Sequence, residues 1–150
     1  SLEDVELQES LDNVLKSIRS LVETSKATIH ADFSNTGKIR FNKRYMESVF
    51  LNLLTNSIKY ASPDRPPIIQ IRSETINGTD RLTFSDNGLG FDMEKVKDKI
   101  FGLHQKFHNH KDSKGIGLYL VHNHITSLAG KITVESQENI GTTFTMTFRK

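Results

Sequence analysis

Asn52, Asn56 and Lys59 interrupt an otherwise apolar stretch, residues 50–60, whose spacing is helical. At about 100° per residue the three lie within roughly 60° of one another, so they form one polar stripe. Met46, Val49, Phe50, Leu53 and Leu54 cover the apolar side in the rhythm i, i+3, i+4. Asparagine is a mediocre helix former, and two of them at mid-helix need a reason. One reading is a solvated outer face, although Glu, Lys and Gln fill such a face better. The other is chemical. Neutral carboxamides offer oxygen to a hard cation without repelling a polyphosphate, and a nearby lysine can neutralise phosphate.

A second cluster is Asp86-Asn87-Gly88-Leu89-Gly90. Leu82, Phe84 and Asp86 share one strand face by period two, so a carboxylate continues the core-facing side. Unpaired burial would cost several kcal/mol or force protonation, so a partner is expected. Taken alone, the segment also reads as a turn in which Asp and Asn bond their own backbone. A turn needs one residue at positive φ; two alternate glycines also let a flat ligand approach the backbone. An ionised carboxylate only accepts hydrogen bonds, which suits the exocyclic amine of adenine and repels the oxygen guanine carries there.

Lys114-Gly115-Ile116-Gly117-Leu118 opens a helix, and glycines at a helix start expose N–H groups to an anion. It is not a dinucleotide fingerprint, since no strand leads in and the third glycine is missing. Nor is there a Walker loop: Gly37-Lys38 and Gly130-Lys131 are each followed by Ile. Any ATP site here is built without a P-loop.

These residues need a scaffold, and the chain supplies one of α+β type. Its 150 residues suit one domain, with 35% hydrophobic and 25% charged residues and a net charge of +2. That charge is too small to argue for nucleic acid or membrane contact. The absence of cysteine excludes disulfides and thiolate metal sites and fits a reducing compartment; the expected location is the cytoplasm, with membrane anchoring of a longer protein left open. No apolar run reaches membrane-spanning length. Leu7, Leu11, Val14, Leu15, Ile18, Leu21 and Val22 mark a first helix over roughly 4–25. Strands follow at 28–33 and 38–41, then the striped helix at 43–60. Residues 68–76 and 81–85 form a hairpin around Asn77-Gly78. Residues 91–114 make an unusually long connection. A helix at 115–128 precedes strands at 131–136 and 142–149. The expectation is a two-layer α+β sandwich: a mixed, mostly antiparallel sheet of five to seven strands, covered on one face by about three helices.

In this order the clusters resemble the sequence boxes of sensor histidine kinases. Residues 52–60 are similar to the N-box, 86–90 to the first glycine box and 114–118 to the second. Phe101–Phe107 resembles the F-box, and Gly141-Thr142-Thr143-Phe144 the closing Gly-Thr segment. The resemblance spans nearly the whole chain and implies the catalytic ATP-binding domain of that family, with the Bergerat fold shared by gyrase-type (GHKL) ATPases. It implies that Asn56 holds Mg²⁺, with Asn52 at the phosphates or the metal. It further implies that Lys59 contacts phosphates and Tyr60 lines the nucleotide. Asp86 would take the adenine amine, with Gly88 and Gly90 shaping that wall and Thr142 reaching the pocket from the sheet. Gly115 and Gly117 would offer N–H groups to the phosphates, with Lys114, Ile116 and Leu118 beside them at the nucleotide. Residues 91–114, with Phe101 and Lys106, would form an ATP lid.

Ser113 stands where the second glycine box usually begins with Gly. His104 and Lys106 replace the aromatic and the arginine usual in the F-box, and lysine loses the guanidinium fork. The phosphoacceptor histidine of the family is followed at once by an acid. His30, His104, His108, His110, His122 and His124 are followed by Ala, Gln, Asn, Lys, Asn and Ile. The acceptor is therefore expected upstream, in a dimerisation helix pair, with a response regulator as further partner and a homodimer as the whole assembly. His104, His108 and His110 could bind a transition metal but lack an obvious supporting acid. His122 and His124 are expected to face a partner or solvent. Glu47, the one acid of the striped helix, lies about 140° from the stripe and reads as solvated. Gyrase-type ATPases carry a water-activating Glu near the place of Asn52, so transfer is favoured over hydrolysis. Other GHKL ATPases, serine-directed kinases of that fold and an inactive nucleotide-binding scaffold remain as alternatives.

Overall fold

The computed structural model describes residues 1–96, 98–102 and 116–149, without the side chain of Ile116. In chain order the first elements are β1 (Glu3–Glu6), α1 (Leu7–Ser17), α2 (Arg19–Ser25), β2 (Thr28–Asp32) and β3 (Lys38–Phe41). There follow α3 (Lys43–Lys59), β4 (Ile68–Ile76), β5 (Thr79–Asp86) and α4 (Met93–Val96). The last are α5 (Ile116–Ser127), β6 (Lys131–Gln137) and β7 (Gly141–Phe148).

The main sheet has five strands in the order β2-β4-β5-β7-β6. β2 joins β4 in parallel, and the other three pairings are antiparallel. One face is apolar by strict alternation: Ile69, Ile71, Leu82, Phe84, Phe144 and Met146 are all buried. Met46, Phe50, Leu53 and Leu54 of α3, Leu11 of α1, and Val121 and Ile125 of α5 close over that face. The expected two-layer sandwich is present.

The amino end departs from expectation. The single helix over 4–25 is instead a strand and two helices. Val5 and Leu7 are buried two apart, a strand period, and Val5 pairs with Ile39 in a separate two-stranded sheet. Farther on, the Ser17 hydroxyl donates to the Val14 carbonyl at 2.7 Å, and Ile18 leaves helical geometry at φ −117°. Such local bonds compete with helix continuation. Leu21, assigned to the apolar stripe, is 41% exposed. The described residues thus contain five helical segments rather than three.

Elsewhere local chemistry acts as read. Asn42 caps α3 by accepting from the Tyr45 N–H at 3.0 Å. Asn77 and Gly78, at φ 52° and 79°, turn the β4–β5 hairpin, as the mirror-image turns of tight hairpins require. Among the described residues, no helix is long and apolar enough to cross a membrane.

Candidate functional site

Asp86 ends β5, and the register with β7 sets it opposite Thr142. Its Oδ1 accepts from the backbone N–H of Gly88 at 2.9 Å and of Thr142 at 3.3 Å. Its Oδ2 accepts from the hydroxyl of Ser57, on α3, at 2.7 Å. The partner expected from the sequence exists, and it is a set of neutral donors rather than a cation. Burial raises the Asp86 pKa, and the bonds from Ser57, Gly88 and Thr142 only partly offset it. Each carboxylate oxygen accepts two bonds; both places on Oδ1 are taken and one on Oδ2. One acceptor position remains for a ligand. Ser57 was not singled out in the sequence, although a hydroxyl on the apolar face of a helix was the available signal.

On α3, Asn52 and Asn56 lie one turn apart and are half-buried. The Asn52 amide donates to the Ser48 carbonyl at 2.7 Å and approaches the Ser48 hydroxyl at 3.1 Å. A carbonyl can only accept, so Nδ2 must face Ser48 and Oδ1 must face away. Oδ1 points toward α5, where a Cβ added at Gly117 would lie 3.1 Å from it. Asn52 therefore presents an oxygen, not an N–H, to the start of α5. Lys59 is exposed in the last turn of α3. The Tyr60 ring is buried edge-on against Phe91, centroids 5.9 Å apart, and its carbonyl accepts from Leu89 N–H at 2.9 Å.

The glycines answer to protein backbone first. A Cβ on Gly88 would lie 2.7 Å from the Tyr60 carbonyl oxygen. One on Gly90, at φ +67°, would lie 2.1 Å from that of Gln137. Close chain crossings thus require both glycines, whatever ligand approaches them. Thr142 is buried among the inward residues of β7, and its hydroxyl is 2.7 Å from that of Ser136. Leu118 is a core residue of α5, and Phe101 packs 6.3 Å from Phe144. Lys106, Lys114 and Gly115 lie outside the described residues, as do Ser113, His104, His108 and His110.

Two histidines correct the expectation that they face solvent or a partner. His122 stacks on Phe101 at 5.1 Å, and His124 stacks on Tyr45 at 4.4 Å with Nε2 3.0 Å from the Ser48 hydroxyl. Burial lowers the His124 pKa from 6.5. The fold therefore prefers the neutral ring, and its contribution is lost as pH falls below 6.5 toward the lower folded value. Compared with wild type, His124→Phe keeps the stack and should lose less thermal stability between about pH 7 and 5. Parallel melting curves for the two proteins would refute this.

Among the described residues no three His, Asp or Glu side chains gather as a metal cage. Among the described residues, the carboxamides of Asn52 and Asn56 on α3 carry uncharged oxygens of the kind a hard cation takes.

Residues 41–150 match the family described as histidine kinase-, DNA gyrase B- and HSP90-like ATPase. The chain is 31% identical over 150 residues to the heme sensor protein HssS of Staphylococcus saprophyticus, covering 99% of this chain and 31% of that protein. It thus spans about a third of that relative's length. The catalytic domain of histidine kinase ThkA matches with a TM-score of 0.81 at 21% identity, over 99% of this chain and 97% of that one. Full-length ShkA in complex with AMPPNP matches with a TM-score of 0.81 at 19% identity, over 99% of this chain and 31% of that one. Fold and family match agree, so the chain belongs to the histidine kinase-, DNA gyrase B- and HSP90-like ATPase family, and its relatives set it among the ATP-binding domains of sensor histidine kinases.

Proposed function

We propose that this domain binds ATP with Mg²⁺ and delivers the γ-phosphate to a histidine on a dimerisation helix pair outside the chain. From there the phosphate passes to a response-regulator aspartate. The observation that carries the reading is the half-buried Asp86, whose three neutral donors leave one acceptor position for a ligand. That position suits an exocyclic amine, and adenine has one where guanine has an oxygen.

The residues divide the work by charge. Asp86 orients the base, with Gly88 and Gly90 holding that wall and Tyr60 and Thr142 backing it. Asn56 and the Asn52 oxygen facing the start of α5 would hold Mg²⁺, which would supply positive charge to neutralise the triphosphate. Lys59 and the start of α5, from Gly117, offer positive charge and N–H groups to phosphate oxygens. Phe101, packed against His122 and Phe144, stands by resemblance at the edge of the nucleotide site. Transfer breaks the bond between the β–γ bridging oxygen and the γ-phosphorus, and an imidazole nitrogen takes that phosphorus. The domain contributes position and electrostatics rather than a base. Glu47, the one acid of α3, accepts from the Asn13 amide at 3.0 Å, and Asn52 has no proton-accepting carboxylate. This favours transfer to a protein over hydrolysis.

Incubating the domain with labelled ATP and a separately prepared helical hairpin bearing an acceptor histidine tests the proposal. An acid-labile, base-stable phosphoprotein is expected. An acid-stable product would indicate a hydroxyl acceptor, and steady phosphate release without any phosphoprotein would indicate an ATPase. Asn56→Ala should weaken ADP binding roughly tenfold in Mg²⁺, about 1.4 kcal/mol, and much less in chelator. Equal loss in both conditions would contradict its role as a cation ligand.

A further inference from the structure

Arg65 lies in Ser62-Pro63-Asp64-Arg65-Pro66-Pro67, between α3 and β4. A residue before proline is driven to extended backbone, so the segment holds this side chain out from a stiff support. The support is anchored: the Asn87 carboxamide accepts from Ile68 N–H at 2.8 Å and donates to the Pro66 carbonyl at 3.2 Å. From there the Arg65 guanidinium donates to three backbone carbonyls. Nε reaches Asn87 at 2.8 Å, and Nη2 reaches Gly88 at 3.1 Å and Asn139 at 2.7 Å.

The first two carbonyls belong to consecutive peptide units whose N–H ends face inward. The peptide joining Asn87 to Gly88 has its oxygen on Arg65 and its N–H on Asp86 Oδ1, at 2.9 Å. The next has its oxygen on Arg65 and its N–H, from Leu89, on the Tyr60 carbonyl at 2.9 Å. Among the described residues no peptide bond is cis. In a planar trans peptide C=O and N–H point in opposite directions, so fixing one end aims the other. A cation on the oxygen also polarises the unit and strengthens the N–H as a donor. The third carbonyl closes a ring, because Asn139 N–H donates in turn to the Leu89 carbonyl at 2.6 Å.

The geometry points to Arg65 as a positioning residue for base recognition: it clamps the 87–89 backbone and the 139 turn, and thereby fixes the acceptor Asp86 presents. This rests on the reading that Asp86 receives the adenine amine. Lysine cannot replace the clamp, since a point charge lacks the fork that meets three carbonyls at once.

The test measures binding of Mg-ADP, Mg-GDP and Mg-tripolyphosphate to wild type, Arg65→Gln, Arg65→Lys and Asp86→Asn. Arg65→Gln should lose about tenfold in ADP affinity and narrow the ADP-to-GDP preference, while tripolyphosphate binding stays within about twofold. Arg65→Lys should recover only part of the loss. Unchanged ADP affinity in Arg65→Gln, an equal fall for ADP and tripolyphosphate, or full recovery with lysine would each overturn the clamp. Asp86→Asn separates the two failures. If it binds ADP normally, the adenine reading itself has failed; if it loses ADP while Arg65→Gln does not, only the clamp has.

Discussion

Asp86→Asn is expected to lower adenine nucleotide affinity by at least about a hundredfold, about 2.8 kcal/mol, and to leave the fold intact. The amide can satisfy every protein partner. Its oxygen accepts from Gly88 and Thr142 as Oδ1 does, and its NH₂ can donate to the Ser57 hydroxyl. What changes is the one position left for a ligand, which becomes a donor facing the donor of the adenine amine. A buried donor pair left without acceptors is a strong rejection, larger than the loss of one neutral bond. Retained ADP affinity in a calorimetric titration would refute the adenine role.

The same variant carries a stability signature of opposite sign. Burial raises the Asp86 pKa above its ordinary 3.8, so the folded state favours the protonated acid. Stability therefore falls as pH rises from 3.8 through the raised folded value, and the deficit persists above it. An amide has no such deficit. The ligand-free variant should melt at or above the wild-type temperature at pH 7, with the difference shrinking on acidification. Wild-type ADP affinity should fall as pH drops toward the raised value, since a protonated carboxyl no longer offers that lone pair; the variant should show no such dependence. A variant that melts well below wild type at pH 7 would mean the carboxylate stabilises the fold.

Gly141→Ala is expected to destabilise the domain by about 3 kcal/mol, which for this size lowers the melting temperature by roughly 6–12 °C. Gly141 sits at φ +147°, a conformation L side chains rarely adopt, and an added Cβ would lie 2.0 Å from the Asp86 carbonyl oxygen. The obstruction is backbone, so no rotamer change relieves it. Relief requires moving the end of β5 away from β7, and that shift carries Asp86 with it. Residual folded protein should consequently bind ADP more weakly. Gly78→Ala provides the control. Gly78 also has positive φ, +79°, but an added Cβ there meets nothing within 4 Å. It should cost about 1 kcal/mol from backbone conformation alone and leave ADP binding unchanged. Equal melting temperatures for the two variants would show that the β5–β7 crossing is not tight.

Periodicity alone located the main sheet, α3 and α5, because burial of one face selects residues at fixed short spacings along the chain. Alternation through Leu82, Phe84 and Asp86 set a carboxylate at the end of the core face, where β5 holds it. It failed at the amino end. There Leu7 continues the helical stripe of Leu11 and Val14, whereas Val5, two positions earlier, fits only the strand period with Leu7, and pairing with Ile39 decided the matter. The glycine pair was seen, but its first reason was not, since Tyr60 and Gln137 approach it only through the fold.

By itself, then, the order of amino acids determined the main strands, α3 with its polar stripe, α5, and the acid at the end of β5. Those are consequences of neighbours a few positions apart. Only the tertiary structure decided that Ser57 meets Asp86 across 29 positions, that Asn52 turns its oxygen toward Gly117 of α5, and that Arg65 reaches Asn139 across 74. Such bonds depend on how a helix lies against a sheet end, which no local spacing encodes. Polar specificity inside the site is written in contacts that exist only after the chain has closed on itself.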